Sequence, residues 1–173
     1  MSRVGRVLGI IAAALVLGFL AIQLVPVERT NPPVIAEPNW DTPETRVLAQ
    51  RACFDCHSNE TVWPWYSYVA PVSWLVARDT NEGREVLNFS EWGSGGEGRE
   101  PWEMLEAVES GYMPPQIYLP THPDANLTAA ERDQLLNGLQ ATLSNSPVGT
   151  GERPAAGGEA GEHEEGERDG DRD

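Results

Sequence analysis

The chain has 173 residues, with 12 basic against 27 acidic side chains and a net charge of −15. That length allows one modest domain with appendages. The acidic balance excludes nucleic acid as a partner, because phosphate contact needs a basic face.

Arg3 and Arg6 precede an uncharged apolar run from Val7 to Val25. At about 1.5 Å per residue this run makes a helix roughly 28 Å long, close to the hydrocarbon thickness of a bilayer. The arginines before it keep the N-terminus in the cytoplasm and send the rest across. A cleaved signal peptide is the competing reading. The residues after the apolar core, Ala21 to Pro26, lack a small-x-small cleavage pattern, which favours an uncleaved anchor.

Pro26 to Trp40 contains Pro26, Pro32, Pro33 and Pro38 and has no helical or strand period. It is either an extended spacer with a reach of about 45 Å or an arm packed along the domain. Asp41 or Thr42 then caps a helix starting at Pro43, and Asp41 with Glu44 has capping-box spacing. This helix delivers Cys53 and Cys56 at its end.

Cys53-Phe54-Asp55-Cys56-His57 reads C-x-x-C-H, the attachment signature of a c-type haem. Two thiols three residues apart on one helical turn can each bond one haem vinyl group, and the following histidine is held under the iron. Two other readings exist. A C-x-x-C can act as a redox disulfide, but such a motif is expected within a βαβ pattern, which is missing here. A zinc site needs four ligands. The chain holds only 2 cysteines, and the remaining histidines are His122 and His163.

Ser58 to Pro71 is an aromatic loop containing Trp63-Pro64-Trp65-Tyr66-Ser67-Tyr68, where Pro64 opposes a helix. A second helix is expected from Pro71 to about Asp79, with Gly83 breaking it. Asn88 to Trp92 leads into a flexible Gly-rich loop, Gly93 to Gly98. Pro101 starts a third helix, which Gly111 stops. Thr128 and Glu131 form a capping box for a last helix, on which Leu135, Leu136, Leu139 and Leu143 make one apolar stripe.

Tyr112-Met113-Pro114-Pro115 follows the third helix and supplies a sixth iron ligand. The Met113 thioether is a soft donor that suits haem iron and raises its potential, and the proline after it stiffens the loop. Met113 as ordinary core filler is the alternative. His122 is a rival ligand that would give bis-histidine coordination. Trp63, Trp65, Tyr66, Trp74 and Trp92 are candidate haem walls. Arg51, Arg78, Arg84 and Arg99 are candidate partners for the haem propionates.

The run from Cys53 through Trp63-Pro64-Trp65-Tyr66 to Leu75 resembles the haem-binding domain family, single-haem cytochrome c-like proteins of bacteria. Glu82-Gly83-Arg84, Asn88 to Trp92, Met113-Pro114-Pro115, Tyr118 and His122-Pro123 are similar to it too. So is the anchor followed by Asn31-Pro32-Pro33. The resemblance covers about residues 7 to 143. It implies a covalent haem held by Cys53 and Cys56 with His57 on the iron, and it implies no substrate.

The expected architecture is mostly α, a small cytochrome c-like helical domain around one covalent haem c with an N-terminal transmembrane helix. It divides into an anchor (1–25), a Pro-rich linker (26–40), the haem domain (41–146) and a disordered acidic tail (147–173). The cofactor-binding set is Cys53, Cys56, His57 and Met113, with His57 and Met113 on the metal and no catalytic residue. The expected role is single-electron transfer to a membrane-associated redox partner protein, at the bacterial cytoplasmic membrane with the haem domain facing the periplasm or cell exterior. A haem-based redox or gas sensor and a peroxidase-like enzyme are the competing classes. Both need an open or labile sixth position, so carbon monoxide binding separates them from electron transfer.

Overall fold

Six α-helices carry the described part of the chain, residues 2–93 and 101–145 of a computed structural model. The expected acidic tail (147–173), Arg99 and the Gly-rich loop beyond Gly93 lie outside the described residues. The protein is mostly helical, with one isolated bridge, Ala36 to Glu91, as its β structure among the described residues.

α1 (Arg3–Ile22) has a mean hydropathy of 2.3, and none of its apolar stretch is buried. It is long and apolar enough to cross a membrane. α2 (Pro43–Ala52) starts where Thr42 accepts a bond from the Thr45 N–H. Thr42 is therefore the cap rather than Asp41, whose N–H donates instead to Thr142 Oγ1 at 3.1 Å. A break at Cys53 separates α2 from the four-residue α3 (Phe54–His57), so the cysteine pair straddles two helices instead of ending one.

α4 (Val72–Val86) continues through Gly83, which was expected to break it. α5 (Pro101–Glu109) begins and ends as the sequence indicates, and Gly111 (φ 74°) turns the chain so that the Met113 N–H reaches the Ala107 carbonyl at 2.9 Å. α6 (Ala129–Ser144) opens with the expected capping box: the Thr128 N–H donates to Glu131 Oε2 at 2.8 Å and the Glu131 N–H to Thr128 Oγ1 at 3.2 Å.

The core gathers Leu48 and Ala49 from α2, Phe54 from α3, Phe89, Val108 from α5, and Leu135 and Leu139 from α6. Trp40, Phe54, Phe89 and Trp92 form an aromatic stack with successive centroids 5.4–6.2 Å apart. α2 and α6 cross so closely at Gly138 that an added Cβ would fall on the Thr45 side chain. The segment from Thr30 to Trp40 is an arm on the domain. Ile35 and Ala36 N–H groups donate to the Ser90 carbonyl, Trp92 N–H donates to the Ala36 carbonyl, and Asn59 Nδ2 donates to the Pro33 carbonyl.

Gly138→Ala is expected to lower stability by about 1–3 kcal/mol through overpacking, read by denaturant unfolding, and Thr45→Ala is expected to restore part of the loss. The Arg51 bond, then those of Thr128, hold the Glu131 carboxyl at about 2, below its ordinary 4.5. A depressed carboxyl stabilises the fold above its unfolded value, and that stabilisation drains as pH falls from 4.5 toward 2. Glu131→Gln should therefore flatten the acid limb of an unfolding-versus-pH curve in that window.

Candidate functional site

The site begins at Cys53, whose φ of −128° and ψ of −35° take the chain out of α2 and into α3. The Cys56 and His57 N–H groups both donate to the Cys53 carbonyl, at 3.2 and 2.9 Å. This compact turn puts the two thiols and the imidazole on one short piece of backbone. Phe54, the first intervening residue, is fully buried and pins the turn to the aromatic stack.

Both cysteines are free thiols. Burial, then the neighbouring Cys56, pushes the Cys53 thiol up to about 12. Burial, with Asp55 and Asp79, takes Cys56 to about 11. A disulfide-exchange C-x-x-C works through the opposite shift, so the environment disfavours that reading. Among the described residues no three or more His, Cys, Asp or Glu side chains cluster in a way that could hold a metal ion.

His57 is oriented by α4. Its Nδ1 lies 2.8 Å from the Gly83 carbonyl oxygen and 3.2 Å from that of Leu87. Both oxygens are acceptors only, so Nδ1 carries the proton and Nε2 keeps its lone pair for a metal. Burial holds the imidazole below its usual range, with the two carbonyl bonds pulling the other way. The neutral ring is the ligand form. Gly83 also sets how near the helix can come. A Cβ there would strike the Cys56 carbonyl, so only glycine lets α4 approach. Behind the motif, Arg84 donates to the Ser58 carbonyl, Thr30 carbonyl, Thr61 Oγ1 and Asn31 Oδ1 at 2.8–3.2 Å.

A cavity of about 230 Å³ opens beside Cys53, between the chain following α5 and the face of α6. Met113 lines it, together with Val108, Leu119, Leu127 and Leu135. Cys53 and Met113 thus share one apolar space. Arg132 and Asn126 supply polar groups to the same cavity. The Arg132 guanidinium has no hydrogen-bond or ion-pair partner among the described residues.

His122 is elsewhere. Its ring stacks on Tyr118 at 3.7 Å, Nδ1 lies 3.1 Å from the Tyr118 carbonyl, and Nε2 is 3.2 Å from the Tyr66 hydroxyl and 3.9 Å from Asp55 Oδ2. The Tyr118 hydroxyl donates to Asp55 Oδ2 at 2.7 Å; burial first, and then this bond, holds the phenol well above its ordinary value. Asp55, Tyr118, His122 and Tyr66 therefore lock the 118–122 segment onto the haem motif, an arrangement that no local pattern in the sequence announces.

Among the described residues no aromatic side chain lines the cavity with Cys53. Trp65 is 78% exposed, Trp92 belongs to the core stack, and Tyr66 serves the His122 cluster. The expected propionate arginines are also committed: Arg51 to Glu131 and the Asp124 carbonyl, Arg78 to Glu82, and Arg84 to the back of the motif. Arg132 was legible as a cavity residue, because Ala129, Arg132 and Leu135 recur at i, i+3 on one face of α6 and all line the space.

The residues suit haem in two respects. The donors are an imidazole with a free Nε2 and a thioether, both haem-iron ligands. The adjoining cavity is apolar with a cationic edge. Trp63 Nε1 is buried without an acceptor among the described residues, but Trp63 does not line this cavity. The class these features define is a small helical haem protein. Its sequence matches the Haem-binding domain family over residues 17–141, a span that contains every residue of the site, and the chain belongs to that family. Comparison with curated proteins and with solved structures gave no match.

Gly83→Ala should push α4 off the Cys56 carbonyl and misalign His57. The expected result is a stability loss of about 1–3 kcal/mol and a lower haem content per chain, measured from unfolding curves and the reduced pyridine–haem absorbance.

Proposed function

We propose that this protein is a membrane-anchored c-type cytochrome that carries one haem, bonded covalently through Cys53 and Cys56, and passes single electrons outside the cytoplasmic membrane. The observation that carries the reading is the His57 ring, whose Nδ1 proton is fixed by the Gly83 and Leu87 carbonyls beside two free thiols. Bound haem supplies a one-electron ferric–ferrous couple, which a His/Met pair tunes toward the reduced form.

The chain's own residues do the rest. His57 presents Nε2 as the proximal ligand. Met113 offers the sixth ligand, supported by its place in the cavity that Cys53 shares and by the backbone bond to Ala107 that holds its loop. His122 is a packing residue in this reading, held by Tyr66 and stacked on Tyr118. Arg132 is the side chain placed to meet a propionate at the cavity edge. Val108, Leu127 and Leu135 exclude water from the Met113 side.

α1 holds the protein in a bacterial cytoplasmic membrane as a single span, with Arg3 and Arg6 on the cytoplasmic side and the haem domain facing the periplasm or cell exterior. The partner is a redox protein, membrane-associated in keeping with the anchor. No residue is proposed as catalytic, because iron held by both His57 and Met113 would offer no position for a substrate.

The test is an absorption spectrum of the full chain in detergent, oxidised and dithionite-reduced, with and without carbon monoxide. The expected result is a c-type reduced spectrum that carbon monoxide leaves unchanged in the wild type and shifts in Met113→Ala. A wild-type shift would favour the sensor or enzyme class. Absence of haem from a host that matures c-type cytochromes would overturn the reading altogether.

A further inference from the structure

The end of α1 is bonded directly to the domain. Gln23 is the first residue beyond the helix. Its Nε2 donates to the Ala70 carbonyl at 3.1 Å, and its Oε1 accepts from the Ala70 N–H at 2.9 Å. This two-point clasp joins residues 47 positions apart in sequence. Six residues further on, Arg29 Nη1 donates to the Ser67 carbonyl at 2.9 Å, and its guanidinium lies 4.4 Å from the centre of the Tyr68 ring. The segment from Ser67 to Ala70 is therefore fixed at the point where α1 ends.

The same segment is unusually apolar on its outside. Trp65 is 78% and Tyr68 60% exposed. They stand three apart on a 3-10 turn, Trp65–Tyr68, and so share a face. Val72 and Leu75 follow, exposed at 43% and 47% and three apart on the first turns of α4. Large apolar side chains clustered this way on a soluble surface mark an interaction site. Trp and Tyr are the residues that settle at the headgroup level of a bilayer, where one end of the ring is wet and the other dry.

We infer that the face formed by Trp65, Tyr68, Val72 and Leu75 lies in the headgroup region of the bilayer that α1 spans. The occupant is lipid, because the clasp puts this face beside the exit of a helix whose apolar length matches the hydrocarbon zone. Arg29, stacked on Tyr68, has the place of an interfacial cation beside an aromatic belt. The domain then rests on the membrane in one orientation. This inference depends on α1 being a membrane span, and the experiment separates the two.

The full haem-loaded chain is reconstituted at one copy per nanodisc in phosphatidylethanolamine and phosphatidylglycerol, doped with a lipid that carries a photoactivatable diazirine at a shallow acyl position. After illumination, labelled peptides are mapped by mass spectrometry. Labelling of both α1 and the 62–75 peptide is expected, with the latter falling severalfold when Gln23→Ala and Arg29→Ala are combined. Labelling of α1 with 62–75 unlabelled would overturn the inference while the anchor stands, leaving a protein partner or a second copy to cover this face. Absence of label from α1 would overturn the anchor reading itself. If the double substitution left the 62–75 label unchanged, the clasp would not be what orients the domain.

Discussion

The approach of one turn of α4 to the Cys56 backbone governs the geometry of this domain. At Gly83 there is no room for a side chain, and its carbonyl, which already accepts from the Leu87 N–H, also accepts from His57 Nδ1. The next residue, Arg84, reaches the opposite way and ties the Ser58 carbonyl to the arm at Thr30 and Asn31. Two consecutive residues of one helix thus hold the front and the back of the C-x-x-C-H turn. The ring's tautomer, the position of its lone pair and the seating of the arm all follow from that contact.

The rest of the domain compensates for a small interior. Buried polar residues are as numerous as buried apolar ones among the described residues, so the fold relies heavily on satisfied hydrogen bonds. Ser58 donates to the Phe54 carbonyl, Ser90 Oγ accepts from the Asn59 N–H, and the Asn59 side chain bonds Pro33, Asn88 and Glu91. The aromatic stack closes one side of α3, and the cavity opens beside Cys53, just before it. An apolar cofactor occupying that cavity would complete a core that a chain of this size barely forms on its own.

Much of this was legible in the sequence. The apolar first helix, the last helix with its capping box, the end of α5 at Gly111 and the haem motif all carry local signals, because caps, turns and short motifs depend on neighbouring residues. What was not legible depends on contacts distant along the chain. Gly83 reads as a helix breaker until Cys56 is known to lie against it. Thr42 takes the cap that Asp41 could have filled because Asp41 is drawn to Thr142, on the far helix. Arg51 and Arg84 look like free cations, yet each is bound to a partner that no spacing rule identifies. The tryptophans, expected together around the haem, are divided among a core stack, an exposed face and a buried site.

The arm has a mechanical consequence. A proline-rich spacer would let the domain sweep a volume of about 45 Å radius and carry charge from membrane to a distant acceptor. Here the stretch from Gln23 to Trp92's partner Ala36 is fastened at Ala70, Ser67, Thr61 and Ser90, so the tether has no slack. A domain held in this way is a post rather than a shuttle. With α1 in a bilayer, as proposed, its encounters would be collisions in the plane of the membrane, set by lateral diffusion and by which side of the post a neighbour meets.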